Sequence, residues 1–454
     1  MSTRLPNVPR WSPLVLAVAT VVVAHAAGLA GQTVAPYPGV LDEHPAIDYA
    51  HTPPTDAVAI VNLGLAAGSR ALTHDDRTGY LPAVLDALGI SPASQLLVFS
   101  KTGLQRAHTS PRTPRALYFN ETVVVGYVAG ASALEVAALD PRQGVVFYTL
   151  EQRPSATPAF TRQTSCLACH VSSSTLDVPG YLVRSHLVDA AGSLVPREPV
   201  LAVNHTTPHV QRWGGWFVTS EGAPPPYQLL GHLGNLTAAP HPTGGPPILS
   251  NHVLVEWLDA DPAKAGYLSH ASDHAALMVF DHQTHAANLL TRLGWQARVA
   301  LARGGTSTTE LDSRVEELVD YLLFVGEAES TVEVTPPAGF VEHLRARLPV
   351  DRRGRSLAEI AIVPRGPLAT DLAPPAPLFV YPCSFMVYAP AFDGLPATVK
   401  AAVYRRLFAV LRGQVTGPRY ARLTPPRRQA VSEILLDTKT DIPPDLRSAP
   451  PVGQ

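Results

Sequence analysis

Residues 166–170 are Cys166-Leu167-Ala168-Cys169-His170. Two thiols three positions apart, followed at once by an imidazole, suit one specific chemistry. The thiols add to the two vinyl groups of a haem as thioethers, and the adjacent histidine sits under the ring and ligates the iron. The pattern predicts one covalent haem c, attached through Cys166 and Cys169, with His170 as the proximal iron ligand. A covalent link keeps the cofactor on the chain where it would otherwise be lost. The same spacing serves a thioredoxin-like dithiol, which wants a βαβ setting, or half a zinc site, which wants a second ligand pair at short spacing. No βαβ pattern surrounds residue 166 and Cys383 is the one remaining cysteine, so haem is the preferred reading.

The other side of the iron decides what such a haem does. An electron-transfer haem takes a second protein ligand, Met or His, whereas a catalytic or gas-binding haem leaves that position open. Beyond Met1 the chain has only Met278 and Met386. Met278 falls in a segment with helical periodicity over 272–303. At about 100° per residue, His274, Met278, Asp281, His282, His285 and Leu289 share one face of it. His270 extends that face if the helix starts early. Met278 is therefore the first candidate distal ligand, Met386 the second and His282 the third. Plain core packing is the competing reading for each, since Met readily fills core gaps.

Met386 lies in Tyr381-Pro382-Cys383-Ser384-Phe385-Met386-Val387-Tyr388, where alternation predicts a buried extended segment. His274, His282 and His285 could hold a second metal, but no clear fourth ligand accompanies them. Trp213-Gly214-Gly215-Trp216 suits either a pocket wall or a packed turn. Pro208 places His205 and His209 in a loop, and Cys383 suits a small buried hydrophobe. The chain carries no Gly-rich dinucleotide motif, P-loop, HExxH helix or nucleophile elbow.

Through this five-residue motif the sequence resembles the c-type cytochromes. More loosely, the whole mature chain looks like a group of large bacterial exported single-haem proteins of undefined function. The segments that carry this likeness are LLVFSKTGLQ (96–105), PRALYFNETVVVGYV (114–128), EVAALDPRQGVVFYTL (135–150), VPGYLVRS (178–185), RWGGWFVTS (212–220), ALMVFDHQTHAANLLTRLGW (276–295) and FDGLPATVKAAVYRRL (392–407). The resemblance implies a haem protein and names no substrate. The chain departs from small cytochromes c in having a long stretch before the motif and far more chain than one haem needs.

The elements that must position the motif follow from pattern and composition. The chain has 454 residues, 46% of them hydrophobic and 16% charged, with 45 Pro and 32 Gly. Against averages of about 25% charged and about 5% Pro, it is charge-poor and proline-rich, a compact body with many ordered loops. Its net charge of -2 lacks the basic footprint of a nucleic-acid binder. Arg4 and Arg10 precede an apolar run, Leu14 to Ala24, with small residues through Gly31, which predicts a secretory leader and a periplasmic or otherwise exported body. An uncleaved leader would be the chain's only membrane contact.

Tyr80 to Leu88 has helical spacing and stops at Gly89. Val-, Tyr- and Phe-rich runs from Gln95 to Glu151 predict an antiparallel sheet. Helices follow at 272–303, 309–325, 396–413 and 425–438, the last opening on Thr424-Pro425. The fold class is α+β. Its expected parts are a leader (1–31), an N-terminal α+β domain (32–155) whose first residues to 75 are irregular, a haem-binding region (156–305), a helical C-terminal region (306–440) and a loose tail (441–454). The expected function is single-electron transfer with a redox partner protein or a small-molecule donor or acceptor. The alternative is a haem-dependent oxidoreductase, peroxidase-like or oxidising a small molecule, or a gas sensor with an open iron.

Overall fold

A computed structural model describes residues 41–189, 191–218, 266–269, 271–305, 309–329, 338–361 and 377–448. The leader and His270 lie outside the described residues. The fold is α+β, with the sheet in the N-terminal half and helices after it. In order, the first elements are α1 (Ala57–Ala66), α2 (Leu81–Leu88), β1 (Leu96–Val98), β2 (Arg115–Phe119), β3 (Val123–Tyr127), β4 (Ala133–Asp140), β5 (Gly144–Glu151), β6 (Thr161–Arg162) and the single-turn α3 (Leu167–His170). Next come β7 (Arg184–Ser185), β8 (Leu201–Ala202), α4 (His274–Ala302), α5 (Thr309–Leu322), α6 (Ala338–Arg347), α7 (Pro390–Asp393), α8 (Ala397–Leu411), α9 (Pro425–Thr438) and α10 (Pro444–Arg447). All belong to one unit that begins at Asp42.

Strands β1 to β6 form an antiparallel meander in sequence order, and β7 pairs with β8 apart from it. The β4–β5 hairpin has the longest register, from Ala133↔Glu151 to Asp140↔Gly144. Its turn closes because Asp140 Oδ1 accepts from the Arg142 and Gln143 amides at 2.8 and 2.9 Å and Gly144 takes a φ of +81°. Neighbouring strand residues point to opposite faces. Phe147 meets the ring of His170, while Tyr148 donates to Asp56 Oδ2, at the start of α1, at 2.6 Å. The motif and α1 therefore cover opposite faces of β5, which explains why β5 is almost wholly buried.

Helix α4 is the central rod. Its 29 residues span about 44 Å at about 1.5 Å each. Asp273 caps it by accepting from the Ala276 amide at 2.9 Å. Nearly every side chain from His274 to Leu290 is buried, as expected of a helix packed on all sides. Phe280 meets Phe119 of the sheet at 4.9 Å, and Arg292 pairs with Glu317 of α5 at 2.6 Å.

The four helices expected after the motif appear at 274–302, 309–322, 397–411 and 425–438. Three local expectations differ. Residues 57–66 form a helix where irregular chain was expected. Its sequence AVAIVNLGLA has almost no polar face to set a period, but Asp56 accepts from the Val58 and Ala59 amides and starts it. The Met386 segment is a short 3₁₀ turn, Phe385–Tyr388, capped by Ser384, and not an extended run. The expected tail is packed as far as Ser448, because Ile442 and Leu446 are buried and Asp441 accepts from Tyr404 at 2.7 Å.

Candidate haem site

The motif sits where the chain leaves β6. Arg162 anchors the approach, donating to the carbonyls of Tyr49 and Thr52 at 2.6 and 3.1 Å and to Gln143 Oε1 at 3.0 Å. A 3₁₀ turn, Thr164–Cys166, runs directly into α3. Residues three apart on a helical turn face the same way, so Cys166 and Cys169 lie on one side. Both are free thiols, Cys166 half-buried and Cys169 exposed. Burial, then Glu135 and Cys169, push the Cys166 thiol up from its ordinary value, so it rests as the thiol at neutral pH.

His170 closes the turn. Its ring lies 4.5 Å from that of Phe147. Its Nδ1 is 2.9 Å from the Gly180 carbonyl oxygen, and the Gly180 amide donates back to the His170 carbonyl at 3.1 Å. A carbonyl only accepts, so Nδ1 carries the hydrogen and Nε2 keeps its lone pair. This is the tautomer and outer bond that a metal-ligating histidine uses. Burial holds the His170 pKa below its usual value, against the pull of the Gly180 carbonyl, with Arg115 and Arg184 lowering it further. The ring is thus neutral at neutral pH, as a ligand must be. Two free thiols on one side of a turn and a neutral imidazole with Nε2 as its donor fit covalent haem.

What holds Gly180 comes from α4. The Tyr181 amide donates to Asn288 Oδ1 at 2.9 Å, and Asn288 Nδ2 donates to the Tyr181 carbonyl at 2.9 Å. The side chain therefore clips both backbone groups of one residue. A Cβ on residue 180 would lie 2.4 Å from Asn288 Oδ1, so only glycine fits. One residue earlier, the Val145 amide donates to the Pro179 carbonyl at 3.0 Å. The loop after the motif is held between β5 and α4. Neither Asn288 nor Gly180 was picked out from the sequence. The Pro179-Gly180 pair was its only local signal, and a contact between residues 107 apart leaves no periodic trace.

Met278 and His282 lie one turn apart on α4, and Met386 sits in the 3₁₀ turn that Ser384 caps. Met278 and Met386 are buried at 5% and 1% exposure. Met278 stands ten residues before Asn288 on α4, about 15 Å along its axis. His282 has both ring nitrogens engaged. Nδ1 is 2.7 Å from His205 Nδ1, and Nε2 is 2.6 Å from Ser384 Oγ. Ser384 also accepts from the Met386 amide at 3.1 Å. The structure thus joins His282, Ser384 and the turn bearing Met386 in one neighbourhood, and Cys166, Cys169 and His170 in another. Asn288 of the helix meets the loop after the motif, and Thr291 lies against Gly144 of the β4–β5 turn.

The histidines of α4 pack against aromatic rings, His282 and His285 both beside Tyr321. His274 packs edge-on to Trp213 at 4.9 Å, His285 lies 4.8 Å from Tyr321, and His205 stacks on Tyr321 at 4.0 Å. Among the described residues no group of three or more His, Cys, Asp or Glu side chains is arranged to hold a metal ion. Burial drives the imidazoles neutral: His282 falls to about 3, His285 to about 4 and His205 well below its usual value. The Ser384–His282–His205 order is that of an activated nucleophile, yet Ser384 is wholly buried and caps a turn, so these bonds lock segments together.

Beside it lies a buried ion pair. Asp281 Oδ2 accepts from Trp213 Nε1 at 2.9 Å and stands 3.4 Å from Arg212. Arg212 also donates to the Thr207 and His205 carbonyls at 2.7 and 2.8 Å. Burial raises the Asp281 pKa, with Arg212 and Trp213 pulling it back, and burial lowers that of Arg212. The two shifts oppose the pairing that the geometry displays. Two donors on Asp281 and three acceptors around Arg212 favour the charged pair. Trp213 takes a φ of +59° and Gly215 one of +85°, so Trp213–Trp216 is a tight turn that delivers the indole to Asp281. Cys383 is buried and its thiol is pushed up to about 12, an inert core residue.

Compared with protein-family models, curated proteins and solved structures, the chain matches none.

Proposed function

We propose that this protein is an exported monohaem c-type cytochrome that transfers single electrons. Thioethers at Cys166 and Cys169 tether the haem, and His170 ligates its iron. The observation that carries the reading is the His170 arrangement. A neutral imidazole closes a C-x-x-C-H turn, with Nδ1–H held by the Gly180 carbonyl and Nε2 as the donor. When bound, haem supplies one-electron exchange at iron. The protein's own part is to fix the ring of His170 by two contacts, the tilted ring of Phe147 at 4.5 Å and the Gly180 carbonyl on Nδ1. It also carries Cys166 and Cys169 three residues apart on the continuous turn from Thr164 to His170, and anchors the motif through Arg162 and Asn288.

A second reading, a haem-dependent oxidoreductase or a gas sensor with an open iron position, draws on the distal candidates. His282 is committed on both nitrogens, and Met278 stands well along α4 from the residues that touch the motif's loops. Carbon monoxide added to the reduced holoprotein separates the two. Electron transfer through a six-coordinate haem predicts an unchanged ferrous spectrum. Ready carbon monoxide binding would favour the open-iron reading and overturn the first.

A further inference from the structure

We infer that Asn288 is a positioning residue for the iron ligand, acting through Gly180 on His170. The inference rests on the haem reading above. Four observations form one chain of contacts. Asn288 is buried at 2% exposure and spends its amide on the two backbone groups of Tyr181, at 2.9 Å each. Residue 180 is a glycine pressed against that amide, where any Cβ would collide at 2.4 Å. The Gly180 carbonyl takes the Nδ1–H of His170 at 2.9 Å. The Gly180 amide returns a bond to the His170 carbonyl at 3.1 Å. The peptide that sets the imidazole is therefore set by a side chain from the central rod of the fold.

The chemistry follows from where that bond acts. A carbonyl drawing on Nδ1–H increases the electron density at Nε2 and makes the imidazole a stronger donor to a metal. A stronger donor favours ferric over ferrous iron, and outer hydrogen bonding of this kind is one of the levers on haem potential. Two bonds from a rigid helix keep the carbonyl aligned where a free loop would let it wander. Loosening the clip lets the carbonyl turn away, weakens the donor and raises the reduction potential. Asn288 touches neither the imidazole nor the reacting atoms, so its effect is one of orientation.

The test uses the full-length holoprotein with haem attached. Asn288→Leu removes both bonds. Asn288→Asp keeps the acceptor for the Tyr181 amide, loses the donor, and stands in if the leucine variant does not fold. Leu290→Ala, a core truncation on the same helix, controls for lost stability alone. The expected result is a midpoint potential above wild type in the Asn288 variants, with an altered ferrous spectrum, and both readouts unchanged in Leu290→Ala. Asn288 variants that keep their haem and match the potential and spectrum of wild type overturn this inference alone. A wild-type chain that carries no haem overturns it together with the reading beneath it.

Discussion

Replacing Asp281 with leucine gives the sharpest account of what the buried polar centre contributes. Asp281 is fully buried and Arg212 is 1% exposed, so the pair has little solvent to fall back on. The substitution keeps the branching and the heavy-atom count, with methyls bulkier than the oxygens they replace, and leaves the guanidinium in the interior with only the Thr207 and His205 carbonyls as hydrogen-bond acceptors. Breaking one partner of a buried pair costs about 3–5 kcal/mol. With a urea slope of about 3 kcal/mol/M, the unfolding midpoint should drop by about 1–1.7 M at unchanged slope. The companion variant removes both charges, Asp281→Leu with Arg212→Met. It should regain much of the loss, because the desolvated charge is gone. About 1–3 kcal/mol should remain for the carbonyls that Arg212 no longer satisfies. Urea unfolding followed by tryptophan fluorescence and by far-UV dichroism reads both. A single variant that loses less than about 1 kcal/mol, or a double variant that is simply additive, would refute the reasoning.

Two further outcomes are expected. His282 has a folded pKa of about 3 against an ordinary value of about 6.5. The unfolded chain therefore takes up the proton first as pH falls. The stability this group contributes is intact above about pH 6.5 and is lost towards pH 3, at about 1.4 kcal/mol per pH unit. The acid limb of stability against pH in His282→Gln should be shallower by that slope, and parallel limbs would show that His282 is not buried neutral. Thiol labelling is the other. The haem-loaded native protein should offer no reactive thiol and should expose Cys383 only on unfolding, since the two motif cysteines are consumed and Cys383 is buried. A native chain that labels at Cys169 would mean that the thioether there has not formed.

How much of this was legible in the sequence depends on the range of the interaction. The antiparallel strands show as Val-, Tyr- and Phe-rich runs between turn residues, and a helix such as α5 shows because its apolar residues recur at helical spacing. Thr424 before α9 and Pro425 at its first position mark where that helix begins. The helix at Ala57 escaped because an almost uniformly apolar run carries no period, and its one signal was Asp56. In the site, Cys166, Cys169 and His170 are contiguous and so were readable. That His274, His282 and His285 share one face of α4 was also readable. Its assignment to partners was not, since His282 meets His205 and Ser384 across 77 and 102 residues. The same holds for Asn288 and Gly180. Long-range polar pairing fixes these choices, and no local spacing encodes it.

The mass and visible spectrum of the purified chain, exported from a host with an active haem-maturation apparatus and then denatured, test the central claim most directly. The account predicts a mature polypeptide heavier by one haem that stays coloured after unfolding and acid extraction, and loses that added mass in a Cys166→Ala/Cys169→Ala variant. A colourless wild-type chain with the mass of the bare polypeptide would contradict it.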